Sequence, residues 1–487
     1  MSPKELLWAD SEVYHRRLEK SGVALIAVQR ALSADRQLVP GIDEFLRLYE
    51  WVARADPDHF TQVWQDPGAY FWTRRAVHFL AACRGEPLGT VEREYCSEVG
   101  IVNPREALAY HLAHFKKFAL ALAIVTGKSI TFSAPYGASL PLAIPGTPLV
   151  LVGDSHASIA GFSDGAIELL NPRRTIPVPG SDPGNSADNG NGVRIDVCPS
   201  VTCDDVSVFL NSAIFHLPGL GIARGWSALP LAFQFEHQQL VTEALSAIRR
   251  FQPWTFSHLA AGLRVIGLKP PDEMFVNVSA SELPGAFVCT VPADPYLFAS
   301  SIIHEFHHNT LFGIEEQGPF FEASEQDEIE GENHYSPWVE TLRPLHGIMH
   351  AVYVFLPVFS FWLAILHDAS LDEARLGFAR EQLARIPAQL QMGVNQLRRH
   401  AKLTPFGSML VEALAAEAAQ AQEEASAMGI TLKTPVMGIT KAGALRPLIR
   451  GGRQVTVGES LLEHLDASDV LGECAEEKAS LVRAISI

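Results

Sequence analysis

The chain has 487 residues, 47% of them hydrophobic and 19% charged, which allows roughly two to four domains and a large buried core. Lys and Arg total 38 against 55 Asp and Glu, a formal balance of −17, so general attraction to phosphate backbones or anionic lipid is disfavoured and no nucleic-acid partner is expected. The six cysteines are scattered, and the closest pair, Cys198 and Cys203, lacks the two-residue gap of a zinc knuckle, which leaves a reduced, cytoplasmic thiol set as the expectation.

The N-terminus, MSPKELLWADSEVYHRRLEK, mixes acids with bases and has no basic segment leading into an apolar one, so export is not expected. Residues 1–127 are expected to form a helical region, because apolar positions recur at three and four in FLRLYEWVARA, AVHFLAACR and AYHLAHFKKFALALAIVTG, before a stop at Gly127. His111 and His114 have helical spacing, but with Leu112, Phe115 and Phe118 around them they are expected to pack rather than bind metal.

From Ile130 short runs separated by Pro and Gly (ITFSAP, SLPLAIPG, PLVLVG, AIELLNP) predict strands and turns. Residues 128–235 are therefore a β-rich insert. Within it PVPGSDPGNSADNGNG, residues 177–192, has almost nothing to bury and is expected to be a flexible loop. Its acids miss the twelve-residue calcium-loop pattern and its closing Glu.

Residues 236–370 are expected to hold the chemistry. Helical EHQQLVTEALSAIRRFQ and TFSHLAAGLRVIGL precede MFVNVSASELPGAFVCTV, whose alternation predicts strands turning around residues 283–285. Asp294-Pro295 then caps a helix through PYLFASSIIHEFHHNTLFG. Between Arg343 and Asp368 lie 24 residues without Asp, Glu, Lys or Arg, long enough to cross a bilayer. His350 and Pro357 inside the stretch, and the absence of a second such segment, favour a buried helix beside an active site, and no membrane span is expected. Residues 371–428 are expected to be a helical C-terminal layer, and 429–487 an irregular tail.

His304-Glu305-Phe306-His307-His308 carries the spacing H-E-x-x-H. At i, i+4 on a helix two imidazoles face the same way and can hold one metal ion. Glu305, turned roughly 100° from that face, is expected to be an acid–base or supporting residue rather than a ligand. His307 should point away. A metzincin would need Gly at position 311 and His at 314, where this chain has Leu311 and Ile314, so that class is excluded. Candidates for a third ligand are Glu315, Glu316, Glu322, Glu325, Glu340, His346 and His350. His350 is favoured, because an imidazole in a charge-free helix needs a partner. Arg343, beside Pro344, also needs an anion: Glu340 or another acid, or the carboxylate of a small cosubstrate.

The order HExxH, then HYSPWVETLRPLHGIMHAVYVF and a following FW, resembles the HExxH-type 2-oxoglutarate-dependent peptide β-hydroxylases associated with ribosomally synthesised, post-translationally modified peptides. WQDPGAYFW, the helix HLAHFKKFALALAIVTG with LAIPGT, and SASELPGAFVCTV are similar in order and spacing, so that the resemblance spans most of residues 40–370. Val339-Glu340-Thr341 departs from the pattern and bears on peptide specificity. The expected fold is α+β, mainly helical with a β-rich insert and a zincin-like HExxH metal core. The resemblance implies iron(II) held by His304, His308 and His350, with 2-oxoglutarate as cosubstrate, Arg343 on its distal carboxylate, and a precursor peptide as substrate, other peptide-modifying enzymes being possible partners. Three protein ligands leave three positions on a six-coordinate ion for the keto acid and dioxygen. The competing expectations are a zinc peptidase, with His304 and His308 on Zn(II) and Glu305 as general base, and a non-catalytic peptide-binding protein. For the peptide readings, residues 286–291 offer a strand to which an extended peptide could add.

Overall fold

The computed structural model describes residues 12–153, 156–170, 174–180, 186–188, 193–220, 231–271, 277–322, 334–339, 341–433, 448–450 and 453–455. It is a mixed α+β protein in which helix predominates. The described residues divide into two compact units, one ending at Gly313 and one beginning at Ile314.

The first unit opens with helices α1 (Glu12–Ala34), α2 (Ile42–Ala53), α3 (Pro57–Trp64), α4 (Pro67–Ala82), α5 (Thr90–Val99), α6 (Pro104–Ala113) and α7 (Lys116–Thr126). Three of them start in the same way. Asp56, Asp66 and Asn103 each precede a proline and accept a hydrogen bond from the backbone N–H two residues on, at 3.0, 2.8 and 2.8 Å. The side chain satisfies an orphan donor while proline presets φ at the first turn. Gly127 closes α7 at φ 67°, where a residue without Cβ is favoured.

The core of this layer is aromatic: Phe45, Trp72, Phe115 and Phe118 stack and tilt on one another, and the Phe45–Phe115 and Trp72–Phe115 centroids are both 5.0 Å apart. His111 belongs to that packing. Its Nε2 is 2.8 Å from Trp72 O and its Nδ1 is 3.1 Å from Tyr95 OH. Burial depresses its pKa, so it is a neutral packing residue. His114 Nδ1 is 2.9 Å from Tyr136 OH. Both do what packing histidines are expected to do.

Two motifs quoted above meet here. Asp66 of WQDPGAYFW bonds Gly68 N and also, at 3.1 Å, Gly146 N of LAIPGT. Gly146 sits at φ +65°, and a Cβ there would meet Gln62 O at 2.4 Å. The motifs form a structural knot.

Strands follow: β1 (Ile130–Ser139), β2 (Leu142–Ala143), β3 (Leu149–Val152), β4 (His156–Ser163), β5 (Ala166–Leu169), β6 (Arg174–Pro177), β7 (Ser186–Asp188), β8 (Arg194–Val197), β9 (Ser200–Cys203) and β10 (Val206–Leu210). They give two antiparallel four-stranded sheets, ordered β1-β4-β5-β6 and β2-β3-β8-β7. Most of the glycine-rich segment 177–192 lies outside the described residues, apart from its first four residues and β7.

The hairpin β9–β10 has a different destination. After α8 (Leu231–Glu236), α9 (Gln238–Phe251) and α10 (Pro253–Gly262) come β11 (Val265–Lys269), β12 (Val278–Ser279) and β13 (Ala286–Thr290), and these assemble with the hairpin in the order β12-β13-β11-β10-β9. β10, β11 and β13 run parallel, and β12 and β9 are antiparallel edges. The hairpin that the sequence places in the insert thus completes the sheet next to the HExxH helix. This corrects the expectation of strand addition at residues 286–291. β13 is buried throughout and paired on both sides, with β11 and with β12 across Val288 and Phe287.

α11 (Pro295–Glu315) carries the HExxH motif. Asp294 Oδ1 accepts from Tyr296 N and Leu297 N at 2.8 and 3.0 Å, as its place before Pro295 predicts.

The second unit contains a hairpin, β14 (His334–Ser336) with β15 (Thr341–Arg343), and the helices α12 (Leu345–Leu366), α13 (Glu373–His400) and α14 (Pro405–Ala427). Gln389 and Gln396 of α13 donate to Pro337 O and Tyr335 O at 2.9 and 2.6 Å, which holds the hairpin. Most of the expected irregular tail lies outside the described residues. α12 is long and apolar enough to cross a membrane but mostly buried within the protein. A second stretch, Pro104–Thr126, passes the same test and is also mostly buried, which corrects the expectation of a single such segment. Its lysines are internal too: Lys116 Nζ is 3.1 Å from Glu44 Oε2.

Arg75 of α4 is fully buried and ion-paired with Glu92, while Glu282 lies 3.6 Å from its other guanidinium nitrogen. Burial opposes ionisation of Glu92, but His78 and Arg75 outweigh it and hold its pKa down at about 2. Glu92→Gln leaves a buried guanidinium short of its counter-ion and should cost about 3–5 kcal/mol in urea unfolding at neutral pH. Because the native pKa lies below the ordinary 4.5, this contribution is complete above that value and is lost as pH falls from it toward 2. A stability gap between wild type and variant that stays constant through that window would contradict this.

Candidate metal centre

His304 and His308 project from one face of α11. Their Nε2 atoms are 3.1 Å apart and their rings are nearly perpendicular at 75°. Two nitrogens bonded to one ion at about 2.1 Å lie about 3.0–3.4 Å apart for octahedral or tetrahedral angles. The pair therefore already has the separation that a shared ion requires, and two imidazoles suit zinc, iron, copper or nickel.

Glu305 is 3% exposed, with Oε1 3.8 Å from His304 Nε2. Burial raises its pKa to about 8, against a hydrogen bond from Ser279 on β12 that lowers it. The thiol of Cys289 on β13 is pushed well above the ordinary range by burial and by Glu305. His304, by contrast, keeps 24% of its side chain open to solvent. The motif thus presents its imidazoles outward and its carboxyl inward.

His307 is turned away. Its Nδ1 lies 2.7 Å from Ile303 O, its ring meets Trp254 edge-on, and burial depresses its pKa to about 3.

The residues that hold this helix against the sheet were not legible as functional. Asn309 Oδ1 accepts from Gly285 N at 3.2 Å, and its Nδ2 donates to Ala286 O at 3.3 Å. Gly285 is at φ +81°, where a Cβ would meet Gly262 O at 2.2 Å. The turn is tied again by Arg17, which donates to Ser281 O at 2.5 Å.

His350 is buried in α12 of the second unit, where its ligating atom groups with those of His346 and Glu315, all within 4.8 Å of one another. His346 Nε2 is 2.6 Å from Glu315 Oε1, His350 Nε2 is 3.8 Å from Glu315 Oε2, and the imidazole centroids are 4.5 Å apart. Burial opposes ionisation of Glu315, yet the two imidazoles hold its pKa down at about 2. Both partners are among the candidates for a third ligand, and His346-x-x-x-His350 repeats the spacing of the HExxH pair.

Arg343 is exposed at the end of β15, and its stem packs by Gly347. Among the described residues it has no ion pair. Glu316 and Glu322 lie beyond the end of α11. Glu325 and Glu340 lie outside the described residues.

A scan against protein-family models finds no match for the chain, and neither does a search of curated proteins.

Asn309→Ala removes two bonds to the backbone of the turn and leaves the buried Gly285 N–H without its acceptor. It should destabilise the first unit by about 1–3 kcal/mol in denaturant unfolding. An unchanged unfolding midpoint would show that these two bonds do not hold the turn.

Proposed function

We propose that the chain is a metal-dependent enzyme whose HExxH helix holds iron(II) and which, with 2-oxoglutarate as cosubstrate, hydroxylates a side chain of a ribosomally made precursor peptide. The observation that carries the metal assignment is the convergence of His304 and His308 Nε2 at 3.1 Å beside a buried carboxyl. The choice of iron, 2-oxoglutarate and peptide rests on the sequence resemblance. A zincin-like core is part of this proposal, supported by three parallel strands with the antiparallel edge β12 contributing Ser279 to Glu305.

His304 and His308 would hold the ion. Iron(II) with 2-oxoglutarate and dioxygen supplies the oxidation that converts a C–H bond to C–OH, with succinate and carbon dioxide as coproducts. Glu305 stays off the ion and, anchored by Ser279, is placed to hold or accept a proton at its carboxyl oxygen. Assigning Arg343 to the cosubstrate's distal carboxylate, and His350 to the ligand set, comes from the resemblance alone. Other enzymes acting on the same precursor are expected partners.

The second reading is a zinc peptidase. The observation that favours it is the same carboxyl: Glu305 next to His304 has the placement of a general base for peptide hydrolysis.

After anaerobic reconstitution with iron(II), the hydroxylase reading predicts succinate formation that depends on 2-oxoglutarate and oxygen. Tight zinc, peptide fragments and indifference to 2-oxoglutarate would replace it with the peptidase. In either case Glu305→Gln should retain the metal, measured by elemental analysis, while turnover falls by about 100-fold or more. Complete metal loss in that variant would make Glu305 a ligand.

A further inference from the structure

Glu315 and His346 are donors that the proposed HExxH chemistry does not use, and His350, which the resemblance alone gives to the iron, converges with them. Two of them come from successive turns of α12, at i and i+4, and the third from a position 31 residues before His346. The two imidazoles share one carboxylate, with Oε1 facing His346 and Oε2 facing His350.

A glutamate between two histidines is often just an ion pair, and two features argue for more. His350 sits among Ile348, Met349, Val352, Tyr353 and Val354, all buried, on a helix without a charged residue, where an imidazole is costly unless it serves a partner. And exposure is graded across the set: His346 keeps 39% of its side chain exposed and Glu315 25%, while His350 keeps 6%. An ion held by all three would be reached by solvent from the His346 and Glu315 side.

We propose that Glu315, His346 and His350 form a second metal-binding site, taking a divalent transition ion of the iron-to-zinc group. Two imidazoles and one carboxylate match such borderline ions, whereas magnesium and calcium prefer oxygen donors alone. Donors bonded to one ion at about 2.0–2.2 Å lie about 3.0–3.6 Å apart. The present separations of 2.6 and 3.8 Å fall on either side of that range, so small side-chain adjustments suffice. Three protein donors leave the remaining positions on the exposed His346 side for water or a small anion.

The test uses the full chain, stripped with chelator and titrated with zinc or cobalt(II). The proposal expects His304→Ala/His308→Ala to retain one equivalent. Adding Glu315→Gln and His346→Asn, both at partly exposed positions, should weaken that binding by about 100-fold or more with far-UV circular dichroism unchanged. His346→Cys in the same background should keep cobalt(II) and add a thiolate charge-transfer band, a signal that a structural ion pair cannot give. The site is refuted if the His304→Ala/His308→Ala protein binds no metal, if the Glu315 and His346 substitutions leave its binding unchanged, or if the cysteine variant shows no new band. A stoichiometry unaltered by His304→Ala/His308→Ala but lowered by Glu315→Gln would support this site and count against the HExxH assignment.

Discussion

The turn through residues 281–285 is the constraint on which the first unit depends. It receives Arg17 from α1 at Ser281 O, faces Arg75 of α4 with Glu282, and presents Gly285 N to Asn309 of the HExxH helix. The positive φ at Gly285 lets the backbone pass against Gly262 and enter β13 in register with β11. Because Asn309 lies one residue beyond His308 and Glu305 bonds Ser279 of β12, the orientation of the motif is fixed by the same sheet that the turn initiates. A side chain that reads backbone, rather than one that packs, sets the helix's rotation.

Histidine environment separates structural from ligating roles in this chain. His111 and His307 are buried with backbone carbonyls or hydroxyls as partners, and burial keeps them neutral. His304 with His308, and His346 with His350, each stand at helical spacing with ring nitrogens turned toward a common point. One carboxyl lies near each pair, and the two behave oppositely. Glu305, facing an apolar interior, is held toward its neutral form, and Glu315, bonded by imidazoles, toward its anion. Burial opposes ionisation of both, and Glu315 alone of the two has imidazole partners that outweigh it.

Much of this was legible in the sequence because it is local. The helix-to-strand change after Gly127, the Asp294-Pro295 start and the turning of His307 away from the His304–His308 face all follow from spacing and capping within a few residues. What escaped is non-local. Nothing in Ser200–Cys203 or Val206–Leu210 says that this hairpin pairs with β11 rather than with the preceding strands, since sheet register is set by distant partners. Asn309 resembles any polar helix residue until Gly285 is seen opposite it. The apolar sequence around Arg343 does not reveal that it ends a hairpin at an exposed position. The upstream motifs that carry the family resemblance have structural tasks here: Asp66 with Gly146, and Glu282 with Arg75.

The central claim is that His304 and His308 bind one metal ion between their Nε2 atoms. Anomalous diffraction from crystals of the full chain, grown anaerobically with iron(II) and measured across the iron edge, tests it directly. The account predicts a peak about 2.0–2.2 Å from both Nε2 atoms, with Glu305 outside bonding distance. An iron-free pair whose nitrogens are joined by a hydrogen bond, in crystals that carry iron elsewhere, would contradict it.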